Sequence, residues 1–140
     1  MIDRALTVEG EPGAVVEGHG KGRTIEVTAP HVAVRNLAVR GSGMKLDQMH
    51  AAVFLGQGAT GAIVEDNEIE DNLVGVYVHG AQNAIVRHNR IAGRVLEHLN
   101  DSGNGVYVWN APGAQVLDND IKVILPAEFA NAKPVFPMPG

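Results

Sequence analysis

Five ring-bearing residues recur at matched spacing. Phe54, Tyr77 and Tyr107 hold the same place in three related segments, and His79 and Trp109 share the place two residues further on. Four of the six Phe, Tyr and Trp side chains therefore fall in one strip. Such a strip can present a platform to a sugar ring or a partner protein. It can equally stack on itself and stabilise a sheet. A second group comprises Met44, Asp47, Met49 and His50, with His98 and Asp101 further along. Thioether and imidazole donors form a soft set that suits copper, Cu(I) above all. They follow no repeated ligand spacing, and methionines packing a loop onto a core are the plainer alternative.

Other groupings carry less chemistry. The acidic run Glu65, Asp66, Glu68, Glu70 and Asp71 has the oxygen donors that calcium takes. However, Glu68 aligns with Arg90 and Asp120, and Glu65 with Arg87, as expected of surface ion pairs worth about 0–1 kcal/mol each. An enzyme needs an acid, a base and a charge stabiliser that converge. No activated-serine motif occurs, and Gly18–Gly22 (GHGKG) lacks the phosphate-loop spacing and leads into no helix. The chain has no cysteine, which excludes disulfides, thiolate zinc sites and thiol catalysis. A non-enzymatic chain is the expectation.

The elements that position these residues come from an internal repeat. Ala51–Ile69, Leu73–Ile91 and Asn104–Ile121 align throughout. Val53, Val76 and Val106 match, as do Leu55, Val78 and Val108, then Val64, Val86 and Val116, then Ile69, Ile91 and Ile121. Thr24–Val39 is an earlier copy and Leu6–Val16 an irregular first one. Apolar residues alternate in three short pieces per copy, separated by Gly, Asn, Ala and Pro, which is strand periodicity broken by turns. The pattern predicts an all-β fold: a right-handed parallel β-helix of about five coils, with three short strands per coil. Asn67, Asn89 and Asn119 then form a structural amide ladder along the stack.

Val64 and Val86 are 22 residues apart, but Val34–Val64 and Val86–Val116 are each 30. The extra length falls at one corner, in Gly41–His50 and Ala92–Gly103. Insertions on one face of a solenoid often mark its binding face. The expected organisation is a single domain over 1–121 and a Pro-rich tail over 122–140. The tail either caps the open end, with Val135 and Phe136 as plugs, or is disordered.

Composition narrows the rest. The net charge of −5 and scattered basic residues argue against nucleic acid. The opening MIDRALTVEGEPG lacks the basic and apolar regions of a signal peptide. No apolar run reaches the ~20 residues of a membrane span.

Three stretches, Val15–Gly43, Met49–Gly80 and Asn100–Ile121, resemble the N-terminal part of NosD-type proteins, accessory proteins for nitrous-oxide reductase maturation. GNGVYVWNAPGA and the order of the loops are the specific features. The resemblance implies a periplasmic β-helix working in denitrification beside an ABC ATPase and a permease, with a copper chaperone and the reductase as further partners. Such proteins are described as copper-binding, but no family motif assigns copper ligands here. The family is longer, with a signal peptide and further coils. The leading expectation is a NosD-like scaffold acting through protein contacts and copper. A carbohydrate-binding or polysaccharide-modifying β-helix is the second, and a truncated fragment without independent activity is the third.

Overall fold

Short apolar alternations bounded by turn residues can bury their inward face only against another copy of themselves. The computed structural model, which describes residues 2–94 and 105–124, shows that arrangement. A first coil holds β1 (Thr7–Glu9) and β2 (Val15–Glu17). The second holds β3 (Ile25–Val27), β4 (Ala33–Arg35) and β5 (Ala38–Arg40). The third holds β6 (Val53–Leu55), β7 (Ile63–Glu65) and β8 (Glu68–Asn72). The fourth holds β9 (Val76–His79), β10 (Ile85–Arg87) and β11 (Arg90–Arg94). The fifth holds β12 (Val106–Trp109), β13 (Gln115–Leu117) and β14 (Asp120–Ile124).

These strands form three parallel sheets, ordered β3-β6-β9-β12, β1-β4-β7-β10-β13 and β2-β5-β8-β11-β14. Every strand is thus paired with its counterpart one coil away. Ile2 adds a bridge to Val27 at the start of the first sheet. The last strand continues three residues past Ile121, because Lys122, Val123 and Ile124 pair with Ala92, Gly93 and Arg94. The domain edge expected at residue 121 therefore falls inside a strand. The tail beyond residue 124, with Val135 and Phe136, lies outside the described residues.

The core is a set of aligned columns. Val34, Val64 and Val86 lie in register in the second sheet, and Val39, Ile69 and Ile91 in the third, all buried. Each such side chain contributes roughly 1.5–3 kcal/mol on burial. Between the second and third sheets the chain turns sharply. Asn36, Asp66, His88 and Asp118 occupy equivalent corner positions with φ from 54° to 57°. Asn, Asp and His are the non-glycine residues that enter this left-handed region most readily.

The residue after each corner points inward. Asn67 donates from Nδ2 to Asn89 Oδ1 at 3.0 Å, and Asn89 donates likewise to Asn119 at 2.9 Å. The Nδ2 groups of Asn67, Asn89 and Asn119 also donate to the carbonyls of Val34, Val64 and Val86, respectively. Backbone N–H groups of Leu37, Asn67 and Asn89 donate to the Oδ1 of the next Asn. A turn that would bury bare donors and acceptors is thereby satisfied. A second, shorter device was not apparent from the repeat: Asn72 Oδ1 accepts from Ser42 N–H at 2.9 Å, and Ser42 Oγ accepts from Leu73 N–H at 3.0 Å.

Outward charges alternate along the second sheet as Glu9, Arg35, Glu65 and Arg87. Glu65 is held between two arginines, at 2.7 Å from Arg87 and 3.5 Å from Arg35. The hydrogen bond from Arg87 is the main cause that holds its carboxyl below the ordinary value near 4.5.

Two outcomes follow. Replacing Asn89 by Leu strands buried groups on both neighbouring coils, so chemical denaturation should show a loss of about 2–4 kcal/mol; a loss near zero would remove the ladder from the account of stability. Glu65→Gln should cost roughly 0.5–1 kcal/mol at pH 7. Because the folded carboxyl has the lower pKa, its contribution is present above the unfolded value. It fades as pH falls through the folded one. Wild-type and Glu65→Gln stabilities should therefore converge in acid; curves that stay parallel would contradict this.

Candidate functional site

The sequence places its rings on the outer side of the first sheet, and the register confirms their alignment. Phe54 pairs with Tyr77 and Tyr77 with Tyr107, while His79 pairs with Trp109. Ring centroids are 5.6 Å apart for Phe54 and Tyr77, and 4.7 Å for Tyr77 and Tyr107. His79 and Trp109 stack at 4.6 Å with planes 16° apart. His79 also faces Phe54 at 5.8 Å, which joins the two rows into one cluster.

This strip is not an open platform along its whole length. Phe54 and Tyr77 are buried although they point away from the solenoid core. They form a second apolar cluster with Ala51, Leu73 and Val74, against which Met44, Met49 and Tyr107 pack. The cover is the inserted segment between β5 and β6, which carries a single 3-10 turn at Leu46–Gln48. Burial, reinforced by Tyr107 and partly offset by Arg23, pushes the Tyr77 phenol above its ordinary value of 10, so it stays neutral. Trp109 differs, being 51% exposed.

Arg23 latches the loop. Its guanidinium lies 3.6 Å from the centre of the Phe54 ring. From there it donates to the carbonyls of Gln48 and Met49, both at 3.3 Å, and pairs with Glu26 at 3.4 Å. A planar cation that stacks and donates at once is a task for arginine rather than lysine. Gly43 N–H donates to Gly22 O at 2.9 Å, which brings the loop backbone against the second coil. Any side chain at Gly43 would strike the His50 ring. Sequence reasoning missed Arg23, because nothing in the repeat marks it. The signal was its position immediately before the second coil, 31 residues from Phe54 in sequence but adjacent in the stack.

The soft donors Met44, Met49 and His50 do share this loop, and His98 lies outside the described residues. His50 accepts from Lys45 N–H at Nδ1, at 3.2 Å. Met44 and Met49 pack on the aromatic cluster. In this arrangement both thioethers lie against the rings and His50 Nδ1 against the loop backbone. Among the described residues no group of three or more His, Cys, Asp or Glu side chains could hold a metal.

A groove of about 1010 Å³ opens at a different corner, between the second and third sheets. Glu9, Glu11, Asp66, Glu68 and Glu70 line it with Arg40. Arg40 is already paired with Glu17 at 3.1 Å. No described helix is long and apolar enough to cross a membrane.

Residues 23–125 match the family described as the right-handed β-helix region. The chain is 32% identical over 121 residues to the probable ABC transporter binding protein NosD of Pseudomonas aeruginosa. It is 31% identical over 121 residues to the protein of the same name from Stutzerimonas stutzeri. Each alignment covers 86% of this chain and 28% of the relative, so the chain spans less than a third of the length of the curated relatives it matches. No solved structure matches it. The three-sheet parallel stack, the family match and the shared sequence make this chain a member of the right-handed β-helix family, and a NosD-like one.

Proposed function

We propose that this chain is a non-enzymatic docking scaffold that presents the loop between β5 and β6, together with His79 and Trp109, to an ABC transporter. The observation that carries this reading is the loop itself. It is seated on the outside of a finished solenoid, over an apolar cluster of its own, and latched by Arg23. The core does not require it, and structured insertions on one face of a solenoid typically serve binding. The relatives' name, ABC transporter binding protein, supports the class of partner. On the finer reading the chain serves maturation of the copper–sulfur centre of nitrous-oxide reductase in the periplasm. A copper chaperone and the reductase are then the other partners, and copper is cargo passed between them rather than an ion held by His50.

Trp109 favours one alternative, a sugar platform, because its ring is half exposed while stacked on His79. The burial of Phe54 and Tyr77 reduces that platform to a single exposed ring with half-buried neighbours, so the docking reading is the stronger.

The test is binding of the purified chain to the detergent-solubilised ATPase–permease complex. Binding should weaken by about tenfold or more in Trp109→Ala, as for an aromatic anchor. Arg23→Ala should weaken it too, and should speed tryptic cleavage after Lys45, because the loop loses its latch. A wild-type chain that ignores the complex overturns the proposal. Retention on alginate or pectin, lost in Trp109→Ala, would establish the sugar reading instead.

A further inference from the structure

The loop between β5 and β6 is held in two stages. Its root is tied to the coils by backbone groups: Ser42 N–H donates to Asn72 Oδ1 and Gly43 N–H to Gly22 O, both at 2.9 Å. Its tip is seated differently, through Arg23 and through two thioethers. Met44 and Met49 pack on the cluster that Phe54 and Tyr77 form with Ala51, Leu73 and Val74. They are the two methionines among the described residues, and both are half-buried, so each side chain meets the rings and solvent at once.

Three constraints meet at Met49. Its side chain lies on the cluster, its carbonyl accepts from Arg23 Nε at 3.3 Å, and its backbone has a φ of 56°. A bulky residue stays in the left-handed region only where its surroundings hold it there. Loosening the side chain therefore also loosens the turn and the carbonyl that Arg23 grips.

The chemistry of the two side chains gives that arrangement a trigger. The chain has no cysteine, so thioethers are its first target for a two-electron oxidant such as hydrogen peroxide. One oxygen atom passes to sulfur: an S–O bond forms, the O–O bond breaks, sulfur loses two electrons and the peroxide is reduced to water. The sulfoxide is polar where the thioether was apolar. An aromatic face that favours a soft sulfur gives a sulfoxide oxygen no donor. Arg23 is already committed to two carbonyls and to Glu26.

We propose that Met44 and Met49 form a reversible oxidation site that controls the loop. As thioethers they seat the tip on Phe54 and Tyr77; as sulfoxides they leave the rings and the tip lifts away, its root still tied. The return step is reduction by methionine sulfoxide reductase, in which a dithiol is oxidised to a disulfide and the oxygen leaves as water. This inference goes beyond transporter docking and does not depend on it, because release of the loop is read with no partner present.

Tryptic cleavage after Lys45 reports the tip. Lys45 is exposed, but its carbonyl accepts from the N–H groups of Gln48 and His50, at 3.1 and 3.3 Å, so the turn must open before the bond is cut. Peroxide treatment of the whole chain should add one oxygen to Met44 and to Met49, read by peptide mass spectrometry. Cleavage after Lys45 should then speed several-fold while cleavage after Arg87, inside the stack, keeps its rate. Methionine sulfoxide reductase with dithiothreitol should restore the slow rate. Met44→Leu with Met49→Leu, a change of similar volume, should keep the tip seated and make it indifferent to peroxide. Should that variant be loose from the start, reversal in the wild-type chain decides alone. Three results overturn the proposal: no oxygen gained at either residue under peroxide that converts N-acetylmethionine, oxidation of both with cleavage after Lys45 unchanged, or equal acceleration after Lys45 and Arg87, which would mean general unfolding.

Discussion

Every part of this molecule depends on parallel, in-register stacking of coils. A coil of three short strands has no interior of its own, and its inward side chains are buried only by the coils before and after it. That constraint explains why Val64, Val86 and Val116 share one register position in successive coils, whatever the length of chain between them. It explains why the corners are narrow enough to need left-handed residues at Asn36, Asp66, His88 and Asp118. It also explains the ladder. A sharp inward turn buries polar backbone, and an amide at the next position can donate to a carbonyl below while accepting from the N–H of its neighbour. The first member of that column is Leu37 rather than Asn, and it ends the ladder by offering only its backbone N–H.

The same constraint separates scaffold from surface. Residues that face inward have no freedom, because any change is felt by the coils on both sides. Outward residues have more, and there the chain departs from its repeat. The segment between β5 and β6 folds back over Phe54 and Tyr77, building a small second core on the outside of the first sheet. Its attachment is a combination of apolar burial and one arginine that stacks on a ring and donates to two carbonyls. The rings do two jobs accordingly. Phe54 and Tyr77 anchor the loop, and Trp109, beyond the loop's reach, stays open.

Among the described residues the inward columns are dry at Val78, Val86 and Ile91, each flanked by described coils on both sides. The outward alternation of Glu9, Arg35, Glu65 and Arg87 favours the native register, which sets opposite charges side by side on neighbouring coils.

The sequence alone determined the architecture. Alternation with a step of 22 residues admits few folds, and Asn67, Asn89 and Asn119 announce their ladder by position. Register, once known, also places Phe54, Tyr77, Tyr107, His79 and Trp109 on one side of one sheet. What only the tertiary structure decided is which of those rings are covered, and by what. Arg23 and the loop from Gly41 to His50 meet Phe54 through contacts between coils that no local pattern encodes. The packing of Met44 and Met49 on the rings, and of His50 Nδ1 against the backbone of Lys45, is likewise a matter of placement. Periodicity reports what is repeated. A loop and a latch are each unique, and their roles depend on distances that exist only after the coils have stacked.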